Sequence, residues 1–188
     1  MEPRTNNIVD NLGLIAIVVV LALVFWNLST PALRPPPVAP GTPLPPLAAA
    51  GWLNVPPSES FEPRAGNVLV VDCWATWCPP CVAEIPRLAK IVQQYRPLGV
   101  DFVGLTAETD AESLGDFLKA RPEFDWPVGY GATQFMDELR IDLLPTVIVF
   151  GADGRAVWSG AGSDGLEEAL DRAFVERRKA EGGRRTAD

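Results

Sequence analysis

Apolar positions along the chain change period from segment to segment, and those changes outline its elements. Asn67–Cys73 is an apolar, β-branched run and reads as a buried strand; just beyond it Val82, Ile85, Leu88, Ala89 and Val92 recur at helical spacing. Val100–Leu105 reads as a second strand. Ala111–Ala120 reads as an amphipathic helix with Leu114, Phe117 and Leu118 on one face. Phe124–Tyr130 predicts a short extra strand, Thr133–Arg140 another helix, and Thr146–Phe150 an apolar strand. The turn signal Ala152-Asp153-Gly154-Arg155 then leads into Ala156–Ser159. In Leu166–Arg177 a stripe of Leu166, Ala169, Leu170, Ala173 and Phe174 predicts a closing helix. Strands that alternate with helices and end in a hairpin give an α/β domain.

The first 64 residues follow another pattern. Leu12–Trp26 holds fifteen residues without a polar side chain, extended by Ile8, Val9 and Leu28. A membrane span needs ~20 apolar residues and a signal-peptide core ~7–15, so length leaves both open. Trp26 suits an interfacial anchor, and no convincing cleavage site follows. We therefore read residues 1–28 as an uncleaved N-terminal transmembrane anchor. Ser29–Ala50 carries eight of the nineteen prolines, which favours extended polyproline II and predicts a spacer. The boundaries expected are an anchor over 1–28, a proline-rich linker and lead-in over 29–64, a folded domain over 65–180 and a flexible tail over 181–188.

Charge removes some function classes. Sixteen Lys and Arg against twenty-four Asp and Glu give a net charge of −8. The only basic clusters, Arg177-Arg178-Lys179 and Arg184-Arg185, lie near the C-terminus, so there is no electrostatic footprint for nucleic acid.

The candidate chemistry is Cys78-Pro79-Pro80-Cys81, at the junction of a strand and a helix. Two cysteines at this spacing close a small disulfide ring, and a thiolate at a helix N-terminus is stabilised by unpaired N–H groups and the helix dipole. Half of a zinc site has the same spacing. With three cysteines and no histidine, however, the chain supplies no second half, and no metal or other cofactor is expected.

Asp72-Cys73-Trp74-Ala75-Thr76-Trp77 followed by Cys-Pro-Pro-Cys resembles the thioredoxin superfamily, and specifically its membrane-tethered, extracytoplasmic TlpA/ResA-like branch. The resemblance covers Asn67 to about Arg177. It implies a central mixed sheet flanked by helices, with the branch's βα insertion between Thr109 and Tyr130. Trp52-Leu53-Asn54 resembles the short element that opens many such domains.

By the same resemblance Cys78 is the outward-facing nucleophile, and Cys81 resolves the mixed disulfide. Asp72 takes the place of a buried carboxylate that accepts the proton of the resolving thiol, although relatives often carry asparagine there. Glu84 matches a glutamate near the active site of ResA-like reductases. Pro86 matches the proline that kinks the active-site helix. Leu144-Pro145-Thr146 matches the cis-proline loop, which with Trp77, Pro79 and Pro80 is expected to hold the substrate chain, while Trp74 belongs to the core. Cys73 is expected to be a buried free thiol.

The two prolines remove possible donors to the Cys78 sulfur, and no histidine stabilises its thiolate; both features favour reduction over oxidation. The resulting reading is an extracytoplasmic, periplasmic-side thiol–disulfide reductase. The resemblance points to apocytochrome c (cytochrome c biogenesis) or copper-site cysteines as clients and to a membrane thiol transporter as electron donor. A disulfide-forming oxidase and a thioredoxin-fold copper-delivery protein are the alternatives.

Overall fold

The structure, a computed structural model, describes residues 17–21, 36–56 and 58–185, with side chains through 179. Residues 17–21 are helical, and the rest of the expected anchor lies outside the described residues. Among the described residues no helix is long and apolar enough to cross a membrane.

From Pro36 onward the chain forms a compact unit. Its elements are β1 (Gly51–Leu53), β2 (Val68–Cys73), α1 (Pro79–Tyr95), β3 (Val100–Leu105), α2 (Ala111–Lys119), β4 (Val128–Tyr130), α3 (Thr133–Glu138), β5 (Thr146–Phe150), β6 (Ala156–Gly160) and α4 (Leu166–Arg185). They build a six-stranded mixed sheet in the order β1-β4-β3-β2-β5-β6. β2 pairs parallel to β3 and antiparallel to β5, so it lies in the sheet's interior.

All six residues of β2 are buried, as are all of β3 and β5, which is why these segments read as mainly apolar runs that include the polar Asp72, Asp101 and Thr146. Alternation sorts β2 between two cores. Val68 and Val70 pack with Ile85, Leu88, Val92, Leu114, Leu166 and Leu170, the apolar stripes of α1, α2 and α4. Leu69, Val71 and Cys73 face the opposite side, against Phe135, Met136, Leu139, Ile148 and Phe150. Each such side chain contributes about 1.5–3 kcal/mol on burial, so the strand that ends at the cysteine motif is firmly seated.

Two boundaries differ from the sequence reading. The expected spacer does not run free from Pro36 onward. Val38 is buried in the α3-side core, with Leu44 and Leu47 packed against it. The Val38 N–H donates to Ser159 Oγ at 2.9 Å, and the Ser159 hydroxyl donates back to the Val38 carbonyl at 2.8 Å. Gly41 N–H donates to the Ala156 carbonyl, Ala156 N–H to that of Thr42, and Pro43 bridges Arg155. Prolines suit this role because they cover the β6 edge without offering donors for further strand pairing. At the other end, α4 continues to Arg185, so residues 181–185 extend the helix rather than starting a tail.

Ser159→Ala should therefore loosen this docked segment, the strap formed by residues 36–47. It leaves the N–H and carbonyl of buried Val38 without their partner, at about 1–3 kcal/mol. Urea unfolding of the oxidised protein reads this directly, and an unchanged midpoint would show that the strap adds nothing to stability.

Candidate active site

The residues singled out from the sequence converge at one end of the sheet, where β2 ends and α1 begins. Cys78 caps α1, and Pro79 and Pro80 fill the first two helical positions, where their missing N–H groups are least costly. Cys78 and Cys81 form a disulfide. The Cys78 sulfur accepts the Cys81 N–H at 3.3 Å. With prolines at the two positions between, this is the donor the helix N-terminus offers it.

Both cysteines are 4% exposed, so Cys78 is less open than expected. It still differs from Cys81. Cys78 lines a groove of about 440 Å³ together with Trp77, Pro79, Pro80, Met136, Ile141, Asp142, Leu143 and Leu144, whereas Cys81 lies behind it. Trp77 is 70% exposed and Leu143 65%, which places two large apolar side chains in the groove wall in contact with water. Trp74 is fully buried, its ring tilted against those of Phe117 and Phe124 with centroids 5.4 and 4.9 Å away. It packs over Gly104, where an added Cβ would come within 3.0 Å of the indole nitrogen.

The Leu144–Pro145 peptide is cis, as the resemblance implied. The Thr146 hydroxyl donates to the Leu143 carbonyl at 2.8 Å and holds this loop beside the groove. Leu144 lines the groove; Pro145 stands next to the loop carrying Gly162.

Asp72 is buried at the end of β2, on the face that α1 covers. Burial first and the nearby Glu84 charge second push its carboxyl from 3.8 up to about 7. A carboxyl poised there exchanges a proton readily near neutral pH, as a partner for a buried thiol requires. Glu84 is half-buried on α1. Its carboxylate accepts the Ser163 N–H at 3.0 Å and the Ser163 hydroxyl, which ties α1 to the loop after β6. That loop approaches closely because Gly162 adopts φ +97°. Cys73 is free and buried, and burial, then the Asp72 charge, raise its thiol well above the ordinary range. It stays protonated and packs as a small apolar residue.

Sequence reasoning missed four contributors. Met136 and Ile141 complete the groove wall from α3 and the segment after it. Ser163 is fully buried against Glu84. Glu108, after β3, accepts hydrogen bonds from the N–H of Thr76 at 2.7 Å and from its hydroxyl at 2.6 Å. The available signals were slight: a serine after glycine, and an acidic residue just past a buried strand at the sheet end that carries the motif. No cluster of three or more His, Cys, Asp or Glu side chains able to hold a metal occurs among the described residues.

The chain is similar to known proteins in sequence and in fold. FixW of Rhizobium leguminosarum is 27% identical over 133 residues, covering 64% of this chain and 59% of FixW. The thiol-disulfide oxidoreductase ResA of Bacillus cereus is 27% identical over 93 residues, covering 49% of this chain and 53% of ResA. The chain thus spans just over half the length of these two curated relatives. The solution structure of a thioredoxin-like protein in its oxidised form superimposes with a TM-score of 0.62 over 72% of this chain and 97% of that one, at 18% identity, and so shares the fold. Residues 43–173 match the Redoxin family. With the cysteine pair at the start of α1, the cis-proline loop facing it and ResA among the similar sequences, the chain belongs to the Redoxin family, on the ResA-like branch of the thioredoxin superfamily.

Proposed function

We propose that this chain is a thiol–disulfide oxidoreductase that reduces disulfides of extracytoplasmic client proteins, tethered to a membrane by residues 1–28. The observation that carries the reading is the Cys78–Cys81 pair at the N-terminus of α1, with Cys78 on an apolar groove and Asp72 buried behind. In the reduced enzyme the Cys78 thiolate attacks a client disulfide, forms a mixed disulfide and releases one client thiolate. Cys81 passes its proton to Asp72 and attacks the Cys78 sulfur, which releases the second client thiolate and leaves the Cys78–Cys81 disulfide. The client gains two electrons, and a dithiol donor must return them to the enzyme.

Trp77, Pro79, Pro80, Leu144 and Pro145 hold the client chain, and Glu84 sets the electrostatics around Asp72. The apolar run Leu12–Trp26 and the family resemblance support tethering, an extracytoplasmic location and a membrane thiol transporter as donor. The same resemblance supports clients among apocytochrome c or copper-site cysteines.

The direction follows from what stabilises the Cys78 thiolate. Two prolines withhold N–H donors and no histidine is present, so the reduced state gains little and the pair favours oxidation of itself. The expected reduction potential lies nearer the ≈ −270 mV of thioredoxin than the ≈ −120 mV of a strong oxidant. Equilibration with glutathione or dithiothreitol buffers measures it. A value above about −170 mV would reverse the assigned direction and leave a disulfide-forming oxidase.

A further inference from the structure

Glu108 stands outside the dithiol and the groove, yet it bonds Thr76, which directly precedes the groove residue Trp77. Its own backbone is fixed by the neighbouring strand end: Thr106 N–H donates to the Gly129 carbonyl at 3.0 Å, Ala132 N–H to that of Thr106 at 2.9 Å, and Gly131 N–H to that of Glu108 at 2.7 Å. From this platform one carboxylate oxygen accepts the Thr76 N–H and the Thr106 hydroxyl, at 2.7 and 3.2 Å, while the other accepts the Thr76 hydroxyl at 2.6 Å. The segment between Trp74 and Cys78 is anchored at its ends by Trp74 N–H to the Leu105 carbonyl, 3.1 Å, and Cys78 N–H to that of Ala75, 3.2 Å. Among the described residues, the carboxylate of Glu108 is the side chain that accepts hydrogen bonds from residues 75–77.

Trp77 is the next residue, and its mostly exposed ring has little packing of its own. The ring's place in the groove wall therefore depends on the backbone beneath it, which the carboxylate holds. We propose that Glu108 is a positioning residue for client docking: through Thr76 it fixes Trp77 against the groove without taking part in the exchange of sulfur atoms. The inference rests on the proposed reductase function, and it separates two kinds of substrate. A protein disulfide must lie in the groove and needs Trp77 in place. A small dithiol reaches the Cys78–Cys81 disulfide without that surface.

The test uses the full chain, insulin as the protein disulfide and dithiothreitol as the small dithiol. Glu108→Ala should raise KM for insulin about tenfold with kcat little changed, since a displaced docking group costs binding before it costs chemistry. Reduction of the Cys78–Cys81 disulfide by dithiothreitol should stay within about twofold of wild type, the chemistry being untouched. Glu108→Gln should recover most of the loss, because its amide oxygen still accepts the Thr76 N–H while the amide donates to the hydroxyl. Thr76→Val should lose part, and adding it to Glu108→Ala should do no further harm, the sign of one shared interaction. If Glu108→Ala does not fold, Glu108→Gln and Thr76→Val carry the comparison on their own. An unchanged KM, an equal loss with dithiothreitol, or a Gln variant as poor as Ala would overturn the inference. A wild-type chain unable to reduce insulin would overturn the reductase reading as well, so the two failures are told apart.

Discussion

Cys78→Ser should abolish reduction of protein disulfides, with a loss of at least about a thousandfold, because a serine hydroxyl at neutral pH supplies almost no anion and an oxygen cannot form the mixed disulfide. Cys81→Ser should behave differently. It keeps the attacking sulfur and loses the resolving one, so the enzyme should halt as a covalent, dithiothreitol-sensitive adduct with its client. The asymmetry follows from the groove: Cys78 lines it and Cys81 does not, although both are equally buried as whole residues. Expressing each variant in a membrane that contains natural clients, then separating proteins without reductant, reads the outcome by mass spectrometry. Adducts with Cys81→Ser and none with Cys78→Ser are expected. Equal trapping by both would mean that the order of attack assigned here is wrong. Cys73 does not blur the experiment, since it is buried on the opposite face of the sheet with its thiol kept protonated.

The parts that the sequence made legible share one property: their signals are local. β3 and β5 begin and end where the apolar runs Val100–Leu105 and Thr146–Phe150 do, and β2 starts one residue inside its expected span. Strands buried on both faces are mostly apolar, and single polar residues such as Asp72 and Asp101 do not hide their ends. Cys78, Asp72, Glu84 and Pro145 were singled out through the family resemblance, whose motif fixes their offsets, and the structure brings them to one end of the sheet.

What stayed hidden depends on contacts between distant positions. The strap was read as a spacer because proline spacing reports an extended backbone, and an extended backbone is what both a free spacer and a docked edge segment adopt. Pairings with distant positions distinguish them, such as Val38 with Ser159, 121 residues away. Glu108 reaches Thr76 across 32 residues, and Ser163 reaches Glu84 across 79. Neither partner has a composition that marks it. The same holds for Met136 and Ile141, which read as ordinary apolar positions of a helix and its exit.

Asp72→Asn should both stabilise the fold and slow the chemistry, an opposition that a purely structural aspartate would not produce. In the folded protein the Asp72 carboxyl is raised from 3.8 to about 7, by burial first and by the Glu84 charge second. A raised folded value means that the native state holds a proton that the unfolded chain has already released. The stability tied to that proton is fully present below 3.8 and is lost as pH rises through about 7. Asparagine has the shape without the titration. The advantage of Asp72→Asn over wild type should therefore grow by roughly 3 kcal/mol between pH 5 and pH 8, at about 1.4 kcal/mol per pH unit, and then level off. Urea unfolding of the oxidised forms at the two pH values measures it; a constant difference would show that the carboxyl does not titrate in this window. The catalytic arm runs the other way. Without a buried base the Cys81 thiol must lose its proton to water, so resolution of the mixed disulfide should slow about 10²–10⁴-fold near neutral pH, the usual contribution of a positioned proton acceptor. The variant should lag most near pH 7 and recover as hydroxide takes over toward pH 9. A reduction rate that matched wild type throughout pH 6 to 9 would leave Asp72 with no part in the exchange, whatever it does for stability.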